Sequence, residues 1–263
     1  MKIGILLPYK ENFSPEYPGA VSLFVYETSI KSKFKKNIIV FGNTNFKKKF
    51  NIKYININLN KVLLSSQTKN YVNKFIKIQK KYKFSIIEVH NRPSYITHLH
   101  EKVPKNVFSL YFHNDPLSMD GSKNVEERKN LLKICYKIIF NSNWSKKRFL
   151  EGLENRFVNS NKLIVFFQSA KKSNLSIIKT KKNWITFVGK LNKAKGYDIF
   201  TKSIQNILNK HPNWRAKVIG DEKREIITLK HKNADILGFL SHDKVLEIFK
   251  KSSIAVACSR WEE

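Results

Sequence analysis

Glycine (9) and proline (7) are scarce among the 263 residues, which excludes collagen-like repeats and proline- or glycine-rich linker architectures. Cysteine is scarcer still. Cys135 and Cys258 lie far apart, each in or beside an apolar stretch, with no CxxC or HxxxH spacing near either. Two such thiols make neither a disulfide scaffold nor a zinc site, and they read as buried thiols of a reducing compartment. Long apolar runs are also missing: none approaches the roughly 18 to 20 residues of a membrane span. Met1 to Leu7 meets Pro8 and Tyr9 too early to supply a signal-peptide core. The expected location is cytoplasmic, with peripheral contact at the inner face of the membrane. The last shortage is acid, 20 Asp plus Glu against 50 Lys plus Arg, a net charge of +30. A field of that size attracts polyanions and anionic lipid.

The basic residues run from Lys2 to Arg260 and gather in no tail or single helix. Without a recognisable nucleic-acid module, this spread makes a basic nucleic-acid-binding protein the alternative reading rather than the leading one. The 41% hydrophobic content is enough for real cores. It is delivered in short runs: Ile3–Leu7, Asn37–Phe41, Ser85–Val89, Val107–Tyr111, Lys137–Phe140 and Leu163–Phe167. Runs of this length, β-branched and aromatic and without clean alternation, predict strands buried on both faces of a parallel sheet. Ser66–Tyr82 and Lys123–Ile134 are long enough for crossover helices.

Residues 1–170 therefore read as one doubly wound α/β lobe. The lysine- and serine-rich stretch 171–183 reads as a linker, and residues 184–263 as a second, partial α/β lobe. In that lobe strands are predicted at Trp184–Val188, Arg215–Ile219, Ala234–Ile236 and Ile254–Ala257. Helices are predicted at Tyr197–Leu208, Glu222–Lys230 and Ser241–Lys250, the last capped by Ser241.

The segment richest in chemistry is Gly189-Lys190-Leu191-Asn192-Lys193-Ala194-Lys195-Gly196, placed where a strand ends and a helix begins. Glycine lets backbone approach a ligand, a helix N-terminus offers unpaired N–H groups, and Lys190 and Lys195 add two cations, a combination suited to a diphosphate. Neither GxxxxGK[ST] nor GxGxxG is present. The default reading of two lysines in so basic a chain is solvated surface charge; the bracketing glycines favour the phosphate role.

This segment resembles the G-[R/K]-L-x-x-x-K-G motif of the large retaining glycosyltransferase family with the GT-B fold, family 4. The resemblance implies a GT-B fold of two Rossmann-like lobes and a nucleotide-sugar donor whose diphosphate is held by Gly189, Lys190 and Lys195. Lys190 stands where arginine is usual and keeps the charge without the bidentate fork. Val218-Ile219-Gly220-Asp221 is similar to the family's glycine turn, with Glu222 replacing its second glycine. Ile236-Leu237-Gly238-Phe239-Leu240-Ser241 is similar to the segment leading to the base, which implies a nucleotide contact at Gly238. Ala257 to Glu263 resembles the "P-S-x-x-E" segment. Glu263 would be the first glutamate of E-x7-E and a nucleotide ligand, with the sequence ending inside that motif. A catalytically defective remnant of such an enzyme is accordingly a second alternative.

In the first lobe, Tyr17-Pro18-Gly19-Ala20-Val21-Ser22 resembles the glycine-rich loop after strand one, which implies that the Gly19 backbone faces the diphosphate. Tyr111-Phe112-His113-Asn114-Asp115-Pro116 resembles the strand-end segment whose histidine touches the donor sugar, making His113 the implied catalytic residue. A lone histidine after a strand is more often a hydrogen-bonded loop residue, and His90 in Val89-His90-Asn91-Arg92-Pro93 has the same placement. At the lobe boundary the family's "NGVD" is replaced by Phe167-Gln168-Ser169-Ala170. Asp115 and Asp120 lack DxD spacing, so no metal is expected. No cofactor is expected beyond the nucleotide sugar as co-substrate. The partners implied are that donor and a saccharide or lipid-linked acceptor of the kind used in lipopolysaccharide or other cell-surface polysaccharide.

Overall fold

The computed structural model describes residues 1–59, 66–168, 180–222 and 225–260. The chain forms two compact units, Met1–Lys171 and Lys172–Glu262.

The first unit runs β1 (Ile3–Leu6), α1 (Ala20–Lys31), β2 (Ile38–Gly42), β3 (Tyr54–Asn56), α2 (Gln67–Tyr82), β4 (Ile86–His90), α3 (Pro93–Lys102), β5 (Val107–Phe112), α4 (Val125–Ile134), β6 (Lys137–Phe140), α5 (Asn143–Leu150) and β7 (Leu163–Val165). Its seven strands lie parallel in the order β3-β2-β1-β4-β5-β6-β7. The continuous apolar runs follow from burial on both faces. Ile5, Ile38 and Val40 belong to one core with Val21 and Val25 of α1, while the alternate residues Leu6, Ile39 and Phe41 join Tyr71, Phe75, Tyr95 and Leu99 of α2 and α3 in another. The chain direction of winding reverses between β1 and β4, the switch point at which open parallel sheets bind ligands beyond the strands' carboxyl ends.

Local signals explain the helices. α2 buries Tyr71, Val72, Phe75, Ile76 and Gln79, one stripe at helical spacing. It stops at Lys83, in the left-handed region at φ 52°. α3 opens with Pro93, whose missing N–H costs nothing in the first turn. Asn124 with Glu127, and Ser142 with Ser145, close reciprocal capping boxes on α4 and α5.

The second unit runs β8 (Lys182–Val188), α6 (Tyr197–Lys210), β9 (Arg215–Ile219), β10 (Ala234–Ile236), α7 (His242–Lys251) and β11 (Ser252–Val256), with parallel strands in the order β10-β9-β8-β11. Tyr197, Phe200, Ile204 and Leu208 of α6 pack on Ile185, Phe187 and Val218 of the sheet. The protein is thus built of two Rossmann-like α/β lobes, the second smaller, as a GT-B fold requires.

Four local expectations are corrected. β8 begins at Lys182, inside the stretch read as linker. β7 ends at Val165, and Phe166 and Phe167 are exposed beyond it. Ser241 stands at the N-cap of α7, but its side chain accepts no capping hydrogen bond. Residues 225–230 form no helix. Ile226-Ile227-Thr228 is a β-branched run with poor helix propensity, Leu229 is drawn into the second core, and the Glu225 carboxylate accepts the Lys193 amide at 2.9 Å. That segment serves as a brace for the loop after β8.

Candidate functional site

The loop after β8 is held from several sides. Asn192, almost fully buried, takes the Lys195 amide on its Oδ1 at 3.0 Å, and its backbone carbonyl accepts from the Tyr197 amide at 3.1 Å. Gly196 forms the N-cap of α6 at φ 67°, and a Cβ there would lie 1.8 Å from the Cys258 carbonyl oxygen. The segment after β11 closes over the loop: the Arg260 amide donates to the Ala194 carbonyl at 3.0 Å. The Arg260 guanidinium clamps Asp198 with contacts of 2.7 and 2.8 Å. That pair holds the Asp198 carboxyl down at about 2.

This arrangement changes the expected anion chemistry. The amides of Gly189, Leu191, Asn192, Lys193, Lys195 and Gly196 all have protein acceptors, and Asp198 already occupies the first turn of α6. The helix end is therefore not a row of open N–H groups. Lys190 and Lys195 are exposed, and among the described residues neither makes an ion pair. Lys195 lies against Gly189, its Cγ 3.7 Å from where a Cβ would stand. Positive charge on this loop is carried by the side chains.

The neighbouring turns join it through backbone. Gly189 donates to Ile219 at 3.0 Å, and Gly220 donates to Gly238 at 2.9 Å. A Cβ on Gly220 would meet the Gly189 carbonyl oxygen at 1.8 Å. Gly238, at φ 65°, has open space where its Cβ would be. The three turns stand side by side at the carboxyl ends of β8, β9 and β10 because the parallel register aligns Val188 with Ile219 and Ile236 with Val218. Glu263 lies outside the described residues.

In the first lobe, Gly19 is the N-cap of α1, and a residue not anticipated from the sequence stands against it. The Glu11 carboxylate accepts the Ser22 amide at 2.9 Å, and a Cβ on Gly19 would meet Glu11 Oε1 at 2.0 Å. A carboxylate is a natural cap for the positive end of a helix. Burial nevertheless raises the Glu11 pKa, against the lowering effects of Ser22, Arg92 and His90.

His113 and His90 come together beyond β5 and at the end of β4. His90 Nδ1 lies 2.8 Å from His113 Nε2, and His90 Nε2 lies 2.8 Å from Glu88 Oε1. Gln168 Nε2 lies 2.5 Å from His113 Nδ1. His90 is fully buried and stacks on Tyr111, while Phe24 meets His113 edge-on with ring centroids 5.0 Å apart. The His113 backbone is fixed as well: its amide donates to Asn91 Oδ1 at 2.7 Å, and its carbonyl accepts from Asn141 Nδ2 at 3.1 Å. Asn91 does this from the left-handed region, φ 50°. Burial first, and His90 second, depress the His113 pKa to about 3.

Asp115 and Asp120 are engaged elsewhere. Asp115 pairs with Arg148 at 3.1 Å and caps a single turn at Leu117, and Asp120 pairs with Lys123 at 2.5 Å. Among the described residues no cluster of three or more His, Cys, Asp or Glu is placed to hold a metal ion. A cavity of about 490 Å³ opens beside the carboxyl end of β4, lined by Lys69, Asn91, Arg92, Tyr95 and His98 among others.

Residues 168–263 match the family Glycosyl transferases group 1. Spore coat protein SA of Bacillus subtilis (strain 168) is 24% identical over 215 residues, which cover 70% of this chain. The chain spans 56% of the length of that curated relative. Among solved structures, Anabaena Alr3699/HepE in complex with UDP and glucose superposes with a TM-score of 0.69 at 14% identity, over 100% of this chain and 75% of its own. A glycosyltransferase from Rickettsia africae ESF-5 gives a TM-score of 0.65 at 18% identity, over 100% of this chain and 74% of its own. These likenesses establish the fold, and no helix among the described residues is long and apolar enough to cross a membrane.

Proposed function

We propose that the protein is a glycosyltransferase that moves a sugar from a nucleotide-sugar donor to an acceptor hydroxyl with retention of configuration. The observation that carries this reading is the loop Gly189–Gly196: a braced turn at a sheet's carboxyl edge, inside the segment matching Glycosyl transferases group 1, that exposes Lys190 and Lys195, neither in an ion pair among the described residues. As the bond to the sugar breaks, negative charge grows on the outer phosphate, and the Lys190 and Lys195 cations stabilise it. The Gly19 backbone is assigned to the diphosphate in this reading, and Glu11, which stands against Gly19 and caps the same helix end, would have to yield to the ligand. Gly238 and Glu263 fall to the nucleotide, and His113 to the transferred sugar. No protein nucleophile is required, since the leaving phosphate can take the acceptor's proton. The nucleotide sugar is the co-substrate in this reading.

The acceptor in this reading is a saccharide or lipid-linked saccharide, for which the 490 Å³ cavity with Arg92 and Lys69 is a candidate. HepE's bound UDP and glucose support a nucleotide-sugar donor. A ligand that binds only the native state raises the melting temperature, so UDP-sugars and a single-stranded oligonucleotide separate this reading from a nucleic-acid-binding one. The expected result is a rise with a nucleotide sugar and none with the oligonucleotide at physiological salt. The reverse pattern would overturn the proposal.

A further inference from the structure

The hydrogen bonds around His113 form a directed chain. The Glu88 carboxylate can only accept, so His90 Nε2, 2.8 Å from Oε1, carries the His90 proton. A neutral imidazole carries one proton, so His90 Nδ1 is bare and accepts from His113 Nε2–H at 2.8 Å. His113 Nδ1 is then bare in turn, and the Gln168 Nε2 amide, 2.5 Å away, donates to it. Every ring nitrogen is used once, and each has the polarity its partner needs.

The two ends of the chain differ in access. His90 is fully buried and His113 nearly so, whereas Gln168 is exposed. With Nε2 turned to the buried His90, the ring nitrogen of His113 left for a ligand is Nδ1, the atom that the Gln168 Nε2–H now contacts. A hydroxyl group has the same polarity as that N–H. Glu88 and His90 sit two residues apart on β4 and project from one face of it, so their pairing is built into the strand rather than into a loop.

We infer that Glu88 and His90 are positioning residues which lock the proton of His113 on Nε2 and so present bare Nδ1 as a hydrogen-bond acceptor to a sugar hydroxyl, displacing the Gln168 amide. The inference rests on the proposed donor site for the identity of the ligand; the tautomer lock itself does not. Carboxylates that orient metal-bound histidines are worth roughly 10- to 100-fold in activity, which sets the scale for an orienting pair here.

The test is ¹⁵N NMR of the imidazole side chains of the full chain at neutral pH, in which protonated and bare ring nitrogens are resolved. Wild-type protein should show His113 with Nε2 protonated and Nδ1 bare. In His90→Phe the ring stack is kept but the acceptor is lost, and the His113 proton should move to Nδ1, with the Gln168 amide turned to receive it. Sugar transfer should then fall about 10-fold or more in kcat, with UDP affinity within about twofold of wild type. Glu88→Leu should free the tautomer as well, and Glu88→Gln, which keeps an oxygen acceptor, should retain it. A wild-type spectrum with the proton on Nδ1 overturns the lock, even if the variants fail to fold. The expected spectrum in a chain that binds no nucleotide sugar overturns the sugar contact and the proposed function together, and leaves the lock standing.

Discussion

His113 shows how a residue's surroundings decide what it can do. Its folded pKa of about 3 is below the ordinary value near 6.5, so between those two pH values the native state holds it neutral while the unfolded chain protonates it. A depressed histidine contributes stability that is fully present above its unfolded pKa and is lost as pH falls from about 6.5 toward 3. One proton corresponds to a slope of about 1.4 kcal/mol per pH unit. Denaturant unfolding at pH 7 and pH 5 should show the wild type losing stability with that extra slope relative to His113→Asn. Parallel losses in the two proteins would mean that His113 titrates normally. Glu88 and Glu11 were illegible at this scale, because an acid inside an apolar run or a loop gives no sequence signal for what it faces. Glu88 at least left a trace: with His90 it makes the polar positions of an otherwise apolar strand, on one face by period-two alternation.

Among the elements, the loop between β8 and α6 was the most legible. Its glycines and lysines spell out a strand, a turn and a helix start, and Gly196 bears that out with a left-handed N-cap pressed against the Cys258 carbonyl. Gly196→Ala should cost about 2 kcal/mol or more, combining backbone strain with a clash, and should lower hydrogen-exchange protection in α6 while leaving β1, β4 and β5 unchanged. Gly238→Ala is the internal comparison, since its Cβ meets nothing within 4 Å and only the left-handed backbone is penalised, about 1 kcal/mol. Equal costs at the two sites would show that the Cys258 contact does not constrain the loop. The segment after Gly220 was misread for a physical reason. A helix is expected over Glu222–Lys230, but Glu225 and Leu229 make long-range contacts that outweigh local propensity. Strand order, too, is set by which edges pair, and no run of residues in one strand encodes its neighbour.

For the whole molecule, charge is the dominant property. The +30 excess is spread over both lobes, yet α2 concentrates part of it: Lys69, Lys77, Lys80 and Lys81 are exposed, and the helix contains no acidic residue. Contact with an anionic membrane would draw on such a face, at about 1 kcal/mol per lysine near the surface. Co-sedimentation with vesicles containing anionic phospholipid should weaken by roughly 100-fold when Lys69, Lys77 and Lys80 are replaced by glutamine, and should weaken in salt. Binding unaffected by these changes would remove α2 from any membrane role. The two-lobe plan was readable from the alternation of short apolar runs with helical stretches. The central claim is that the second lobe holds a nucleoside diphosphate through Lys190 and Lys195, and calorimetric titration tests it most directly. With UDP, or GDP and ADP if the base differs, Lys195→Ala should lose about 1.5 to 3 kcal/mol of binding, the worth of one charge-assisted contact. The loss at Lys190→Ala should be smaller, and at Lys47→Ala close to nil. Equal, small losses at all three positions, or no binding by the wild type, would contradict the account.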